Sequence, residues 1–127
     1  MDELRAELVL RAAESVPAGR IAPYGMLGRI TGTGARFVGR VMAVYGREVP
    51  WWRVTNAKGE LPPELLTRAR EKWHLEGIPL DPPSARIRRC LADEDELRCR
   101  WEPRITDIVG ATDPVDAGDR TTTEGGP

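Results

Sequence analysis

The chain has 127 residues, 40% of them hydrophobic, which is room for one domain of ordinary size with a modest core, and nothing in it resembles a second. Its net charge of -1 hides an uneven distribution: 12 basic and 9 acidic residues through Leu80 give +3, and 7 basic and 11 acidic from Asp81 onward give -4. No apolar run reaches the ~20 residues needed to span a bilayer, and the charged start Met1-Asp2-Glu3-Leu4-Arg5 lacks a secretory core, so the expected location is cytoplasmic with no membrane partner.

Asp2 to Ser15 is predicted as an amphipathic helix with Leu4, Leu8 and Ala12 on one stripe beside Val9. Val16-Pro17-Ala18-Gly19 ends it, and a brief extended piece from Arg20 to Pro23 leads into a short helix, Tyr24 to Ile30, whose apolar members are Met26, Leu27 and Ile30. Thr31-Gly32-Thr33-Gly34 breaks the chain. A second helix, Ala35 to Tyr45, is expected to bury Val38, Val41, Met42 and Tyr45. Helix, glycine-bearing turn and helix make the outline of a helix-turn-helix, an outline shared by many small helical proteins. Arg36 in the first turn of the second helix and Arg40 one turn later point toward whatever its N-terminus meets, where free amides already favour anions. Gly32, Gly34, Ala35 and Gly39 beside them let a backbone come close to a groove. No acid from Gly19 to Arg47 is available to neutralise these arginines.

Val49-Pro50-Trp51-Trp52-Arg53-Val54 follows. In an extended segment successive side chains go to opposite faces, so one tryptophan is expected to pack inward while the other is offered outward. From Arg20 to Lys58 the basic residues are Arg20, Arg29, Arg36, Arg40, Arg47, Arg53 and Lys58, and the acid is Glu48. An aromatic pair in a basic, glycine-punctuated region is the composition of a nucleic-acid site.

Thr55-Asn56-Ala57-Lys58-Gly59 suits a tight hairpin or wing. A helix from about Pro63 to Glu76 then carries Leu66, Ala69 and Trp73 inward with Leu65 beside them, and Gly77 closes it. His74 reads as a surface or capping residue, and Ile78 and Leu80 as an edge segment. Arg86 to Leu91 and Leu97 to Trp101 are short mixed segments, helix turns or strands, folded back on the body. From Thr106 the Asp, Gly, Thr and Pro content is too polar to offset chain entropy, which predicts a disordered tail. The expected division is therefore 1–80 for the winged domain, 81–105 for a packed extension and 106–127 for the tail. Cys90 and Cys99, eight residues apart, and a single histidine fit no common zinc spacing, so neither a metal nor a cofactor is expected.

The ordered series Val16-Pro17-Ala18-Gly19-Arg20, Tyr24-Gly25, Ala35-Arg36-Phe37-Val38-Gly39, Val49-Pro50-Trp51-Trp52-Arg53-Val54 with Asn56, and Leu75-Glu76-Gly77 resembles the DNA-binding half of the O6-alkylguanine-DNA alkyltransferases. It resembles the alkyltransferase-like proteins more closely, over roughly residues 8–80. The resemblance implies a mainly α, winged helix-turn-helix DNA-binding domain with a short hairpin wing and a disordered C-terminal tail. Active alkyltransferases carry Pro-Cys-His-Arg-Val, whose thiolate accepts the alkyl group; here Trp51 stands at the cysteine position and Trp52 at the histidine, leaving Glu76 where the relay would be completed. The asparagine that the enzymes carry between helix and motif is absent from Val44-Tyr45-Gly46.

By this resemblance the chain has no catalytic residue and is a monomeric sensor of O6-alkylguanine in double-stranded DNA, serving nucleotide excision repair proteins. Its second helix would enter the minor groove through Gly34, Ala35, Arg36 and Arg40. Arg36 would fill the space of the departed guanine and Tyr24 would press on the adjacent phosphate. Pro50, Trp51, Trp52 and Arg53, with Tyr24, would form the lesion pocket, Arg53 as a buttress. Two other readings stay open: an alkyltransferase using Cys90 or Cys99, and a winged-helix regulator reading sequence through the major groove.

Overall fold

The computed structural model describes residues 1–109, and the remainder of the expected tail lies outside the described residues. The order of elements is α1 (Glu3–Glu14), β1 (Ala22–Pro23), α2 (Tyr24–Thr31), α3 (Ala35–Tyr45), β2 (Val54–Thr55), α4 (Leu66–Glu76), α5 (Pro83–Cys90), α6 (Glu94–Trp101) and α7 (Thr106–Val109), with single 3-10 turns between several of them. No helix among the described residues is long and apolar enough to cross a membrane.

Two apolar clusters form around one short parallel pair, in which Ala22 faces Val54 and Pro23 faces Thr55. Ile21 and Ala22 are consecutive, and extended backbone sends them to opposite sides. Ala22 joins the cluster of α1, α2, α3 and α6, built on Val9, Leu27, Val38, Val41, Leu97 and Trp101. Ile21 joins the cluster of α4 and its neighbours, with Leu61, Ala69, Trp73, Ile78 and Cys90. The second cluster is the floor on which Trp51 and Trp52 pack.

The α2–α3 turn fixes how α3 is presented. Gly32 ends α2 at φ 75° and Gly34 starts α3 at φ 136°, both in the region where a side chain is strained. Gly28 lets the turn fold back on α2, because a Cβ there would lie 2.6 Å from the Gly34 carbonyl carbon.

Several expectations are corrected. The inward face of α1 is Ala6, Val9, Ala12 and Ala13, and Leu4 is 48% exposed, because the small residues let α1 lie close to its neighbours. In α3, Val38 and Val41 are buried but Tyr45 is exposed, since α3 ends there and a 3-10 turn at Gly46–Glu48 redirects the chain. Ile78 and Leu80 form no strand: the Ile78 N–H donates to the Trp73 carbonyl at 2.9 Å in the cap of α4. Of the two forms left open for the mixed segments, helix turns or strands, the structure has helices, and Leu91 is the residue bridged in parallel to Ile21. Thr106–Val109, placed in the tail by composition, is helical, with Ile108 and Val109 against the first cluster. The indole of Trp101 donates to the Leu8 carbonyl at 3.0 Å, and Arg11 bonds Asp107 at 2.6 Å, so the chain after residue 81 is tied to α1 by directional contacts as well as by packing.

Candidate nucleic-acid interface

α3 begins without a side-chain cap, so the amides of its first turn are left for solvent or for a ligand. Ala35 and Arg36 are exposed in that turn and Gly34 is half-buried before it. Arg36 makes no hydrogen bond or ion pair among the described residues. Arg40 is exposed one turn on, its guanidinium 5.7 Å from the Phe37 ring. Arg29 differs: Glu94 of α6 binds it at 2.9 Å, an acid that comes from far along the chain. The half-buried Tyr24 ring lies against α3, 3.6 Å from the position of a Cβ on Gly39. Burial pushes the Tyr24 phenol above its ordinary pKa, so it remains a neutral O–H at physiological pH.

The tryptophan stretch is not extended. Trp51–Arg53 is a 3-10 turn, held by the Trp51 N–H on the Val49 carbonyl at 2.6 Å and the Arg53 N–H on the Pro50 carbonyl at 3.1 Å. A tight turn spreads consecutive side chains around an axis, so the two indoles meet edge to face, 5.7 Å apart at 88°, and both stay half-buried. Trp51 lines a cleft of about 890 Å³ with Met42, Tyr45, Val49, Pro62, Leu65 and Arg68, whose guanidinium sits 5.8 Å from the Trp51 ring. Tyr24 lines an adjacent cleft of about 650 Å³ with Asn56, Leu61, Leu66 and Arg86; Pro62 belongs to both.

Trp52 and Arg53 face Glu76 instead. The Trp52 indole N–H donates to Glu76 Oε2 at 3.0 Å, the Gly19 amide to Oε1 at 3.0 Å, and Arg53 binds both oxygens, Nη2 at 2.5 Å and Nε at 3.0 Å. Arg53 also donates to the Val16 carbonyl at 2.9 Å. The ion pair is only 16% and 14% exposed. Burial pushes the Glu76 carboxyl up, but the bonds from Arg53, Gly19 and Trp52 together outweigh it and hold the group below its ordinary pKa. Glu76 is therefore a fixed anion with its lone pairs occupied. An indole N–H is a donor only, so Trp52 cannot take a proton from a neighbour and pass it on. Lys72 lies 4.9 Å above the Trp52 ring and the Arg53 guanidinium 5.3 Å from it, so cations flank this indole.

Arg36, Arg40, Tyr24, Gly34 and Ala35 thus gather on and against α3, Trp51 opens on a cleft reached from the end of α3, and Trp52 and Arg53 brace the turn from behind. Sequence reasoning missed Arg68 and Lys72, whose spacing of four on α4 places them on one helical face beside the indoles, and it missed the Trp73 indole, which donates to the Trp52 carbonyl at 2.8 Å. Among the described residues no group of three His, Cys, Asp or Glu is placed to hold a metal. Both cysteines are unpaired, Cys90 buried and Cys99 exposed, and neither lines the Trp51 cleft.

Residues 5–78 match the family described as 6-O-methylguanine DNA methyltransferase, DNA binding domain. No curated protein sequence matches the chain at a significant level. Among solved structures, S. pombe Atl1, in complex with damaged DNA containing O6-carboxymethylguanine, is similar at 31% identity and a TM-score of 0.54, over 62% of this chain and 80% of that one. The matched residues take in the α2–α3 unit, the tryptophan turn and Glu76, and the chain belongs to the 6-O-methylguanine DNA methyltransferase DNA-binding domain family, on its alkyltransferase-like side.

Proposed function

We propose that this protein is a non-enzymatic sensor that binds O6-alkylguanine in duplex DNA and leaves the adduct in place. The observation that carries the reading is the Trp51–Trp52–Glu76 arrangement. The turn holds no thiol, and the carboxylate that would complete a relay is taken up by an indole N–H, a backbone amide and Arg53. Binding groups are therefore present where the chemistry of transfer has no nucleophile and no proton acceptor. The likeness to Atl1, a protein solved on damaged DNA, supports the same substrate class.

In this reading α3 docks in the minor groove, Arg36 enters the base stack and bonds the orphaned cytosine, and Tyr24 presses its phenol on the neighbouring phosphate. The extruded base lies beside Trp51 near Pro50. Extrusion costs a few kcal/mol, least for a damaged pair, and stacking on an aromatic wall returns ~1 to 3 kcal/mol. Alkylation replaces a polar carbonyl edge with an apolar group, which the indole accepts at less cost than it accepts guanine. The complex is a monomer on its lesion in the cytoplasm, and it hands the site to nucleotide excision repair. Titration of two duplexes that differ only by one O6-methylguanine tests the reading at physiological salt: tighter binding of the lesion duplex is expected, and equal affinity would end it. A methyl group gained by Cys90 or Cys99, seen by mass spectrometry, would replace the sensor with an enzyme.

A further inference from the structure

Arg86, on α5, is 2% exposed, an unusual burial for a side chain that carries a permanent charge. It is held by main-chain carbonyls rather than by a carboxylate. Nε donates to Gly59 at 2.9 Å, and Nη1 donates to Pro79 at 2.9 Å and to Leu80. Its guanidinium lies 3.8 Å from the Trp73 ring centre. The Trp73 indole in turn donates to the Trp52 carbonyl, so one unbroken series of contacts runs from α5 to the tryptophan turn. A second series runs through Gly59, which closes the Asn56–Glu60 turn just before Leu61 and Pro62. α5 also meets this turn directly: a Cβ on Gly59 would lie 2.6 Å from the Pro83 carbonyl oxygen. Pro62 lines both clefts, and Arg86 lines the one that contains Tyr24. The family match ends at residue 78, so this cation comes from the chain beyond it.

We infer that Arg86 is a positioning residue for lesion recognition: from α5 it sets the placement of the Trp51–Trp52 turn and of Pro62, and with them the shape of the cleft that separates alkylated guanine from normal guanine. The inference rests on the sensor reading above. A planar fork that bonds carbonyls from two loops while stacking on an indole fixes three segments in one geometry, which a flexible ammonium does less well. A cleft whose supporting groups drift accepts both bases alike.

The test compares the affinity ratio between an O6-methylguanine duplex and its unmodified match in the wild type, in Arg86→Met and in Leu97→Ala. Leu97 is buried in the other cluster, so its truncation lowers the melting temperature without touching this network. The expected result is a ratio about tenfold smaller in Arg86→Met, the size of one lost charge-assisted hydrogen bond, with binding of unmodified duplex unchanged and the ratio kept in Leu97→Ala. Should Arg86→Met fail to fold, Arg86→Lys is measured, with a loss of ratio again expected. A full ratio in the Arg86 variant, or the same loss in Leu97→Ala, overturns the inference. A ratio of one in the wild type removes the sensor reading itself and the inference with it.

Discussion

Replacing Glu76 with glutamine tests the brace behind the tryptophan turn while keeping its shape. In the wild type the carboxylate accepts from the Gly19 amide, the Trp52 indole and the Nε and Nη2 of Arg53, in a pair only 14 to 16% exposed. Glu76→Gln leaves the Arg53 charge facing a neutral amide with a single acceptor oxygen, beside the Val16 carbonyl that it already bonds. Breaking a buried pair costs about 3 to 5 kcal/mol; here glutamine keeps one acceptor oxygen and some water reaches the pair, so a loss of about 2 to 3 kcal/mol is expected. For a domain of this size that corresponds to a melting temperature lower by about 10 °C. The sign with pH follows from the depressed pKa of Glu76. Its contribution is complete above the ordinary carboxyl value of 4.5 and disappears as pH falls through the lower folded value. The gap between the melting curves of the two proteins should therefore narrow as pH falls below 4.5. A variant within about 0.5 kcal/mol of wild type at pH 7, the range of an ordinary surface change, would refute the brace.

Arg36→Ala should melt like the wild type, because the side chain is exposed and without a partner among the described residues, yet bind the lesion duplex about tenfold to a hundredfold more weakly; unchanged affinity would argue against extrusion by α3. Trp51→Cys should transfer no methyl group at an appreciable rate, since the adjacent indole cannot act as a base and a missing general base costs about 10² to 10⁴ in rate. The double change Trp51→Cys with Trp52→His should be the faster of the two by mass spectrometry of the protein; equal rates would contradict the role given to Trp52. Gly28→Ala forces a methyl group to within 2.6 Å of backbone at Gly34 and should cost about 1 to 3 kcal/mol while weakening all duplex binding by shifting the start of α3; a neutral effect in melting and titration would refute that packing.

What could be read in advance depended on whether a signal was local. The bounds of α3 were legible because Gly34 precedes its periodic residues and Gly46 follows them, and the stop of α4 because Gly77 takes a left-handed conformation that other residues resist. The tryptophan pair was legible as a site but not in its shape: alternation assumes an extended chain, and the 3-10 turn arises from contacts with Glu76 and Trp73 that lie more than twenty residues away. The face of α1 was misjudged for the converse reason, since alanines carry little hydrophobic signal yet allow the closest approach between helices. α5 looked mixed because its most buried long side chain is an arginine, and nothing local announces that three carbonyls and an indole await it.

The most direct measurement is the mass of the lesion-bearing strand recovered after saturating incubation with the protein. The strand is expected back with its O6-alkyl group intact and the protein at its own mass, having been bound and released without reaction. A strand returned as plain guanine, with the alkyl group on the protein or in solution, would contradict the account.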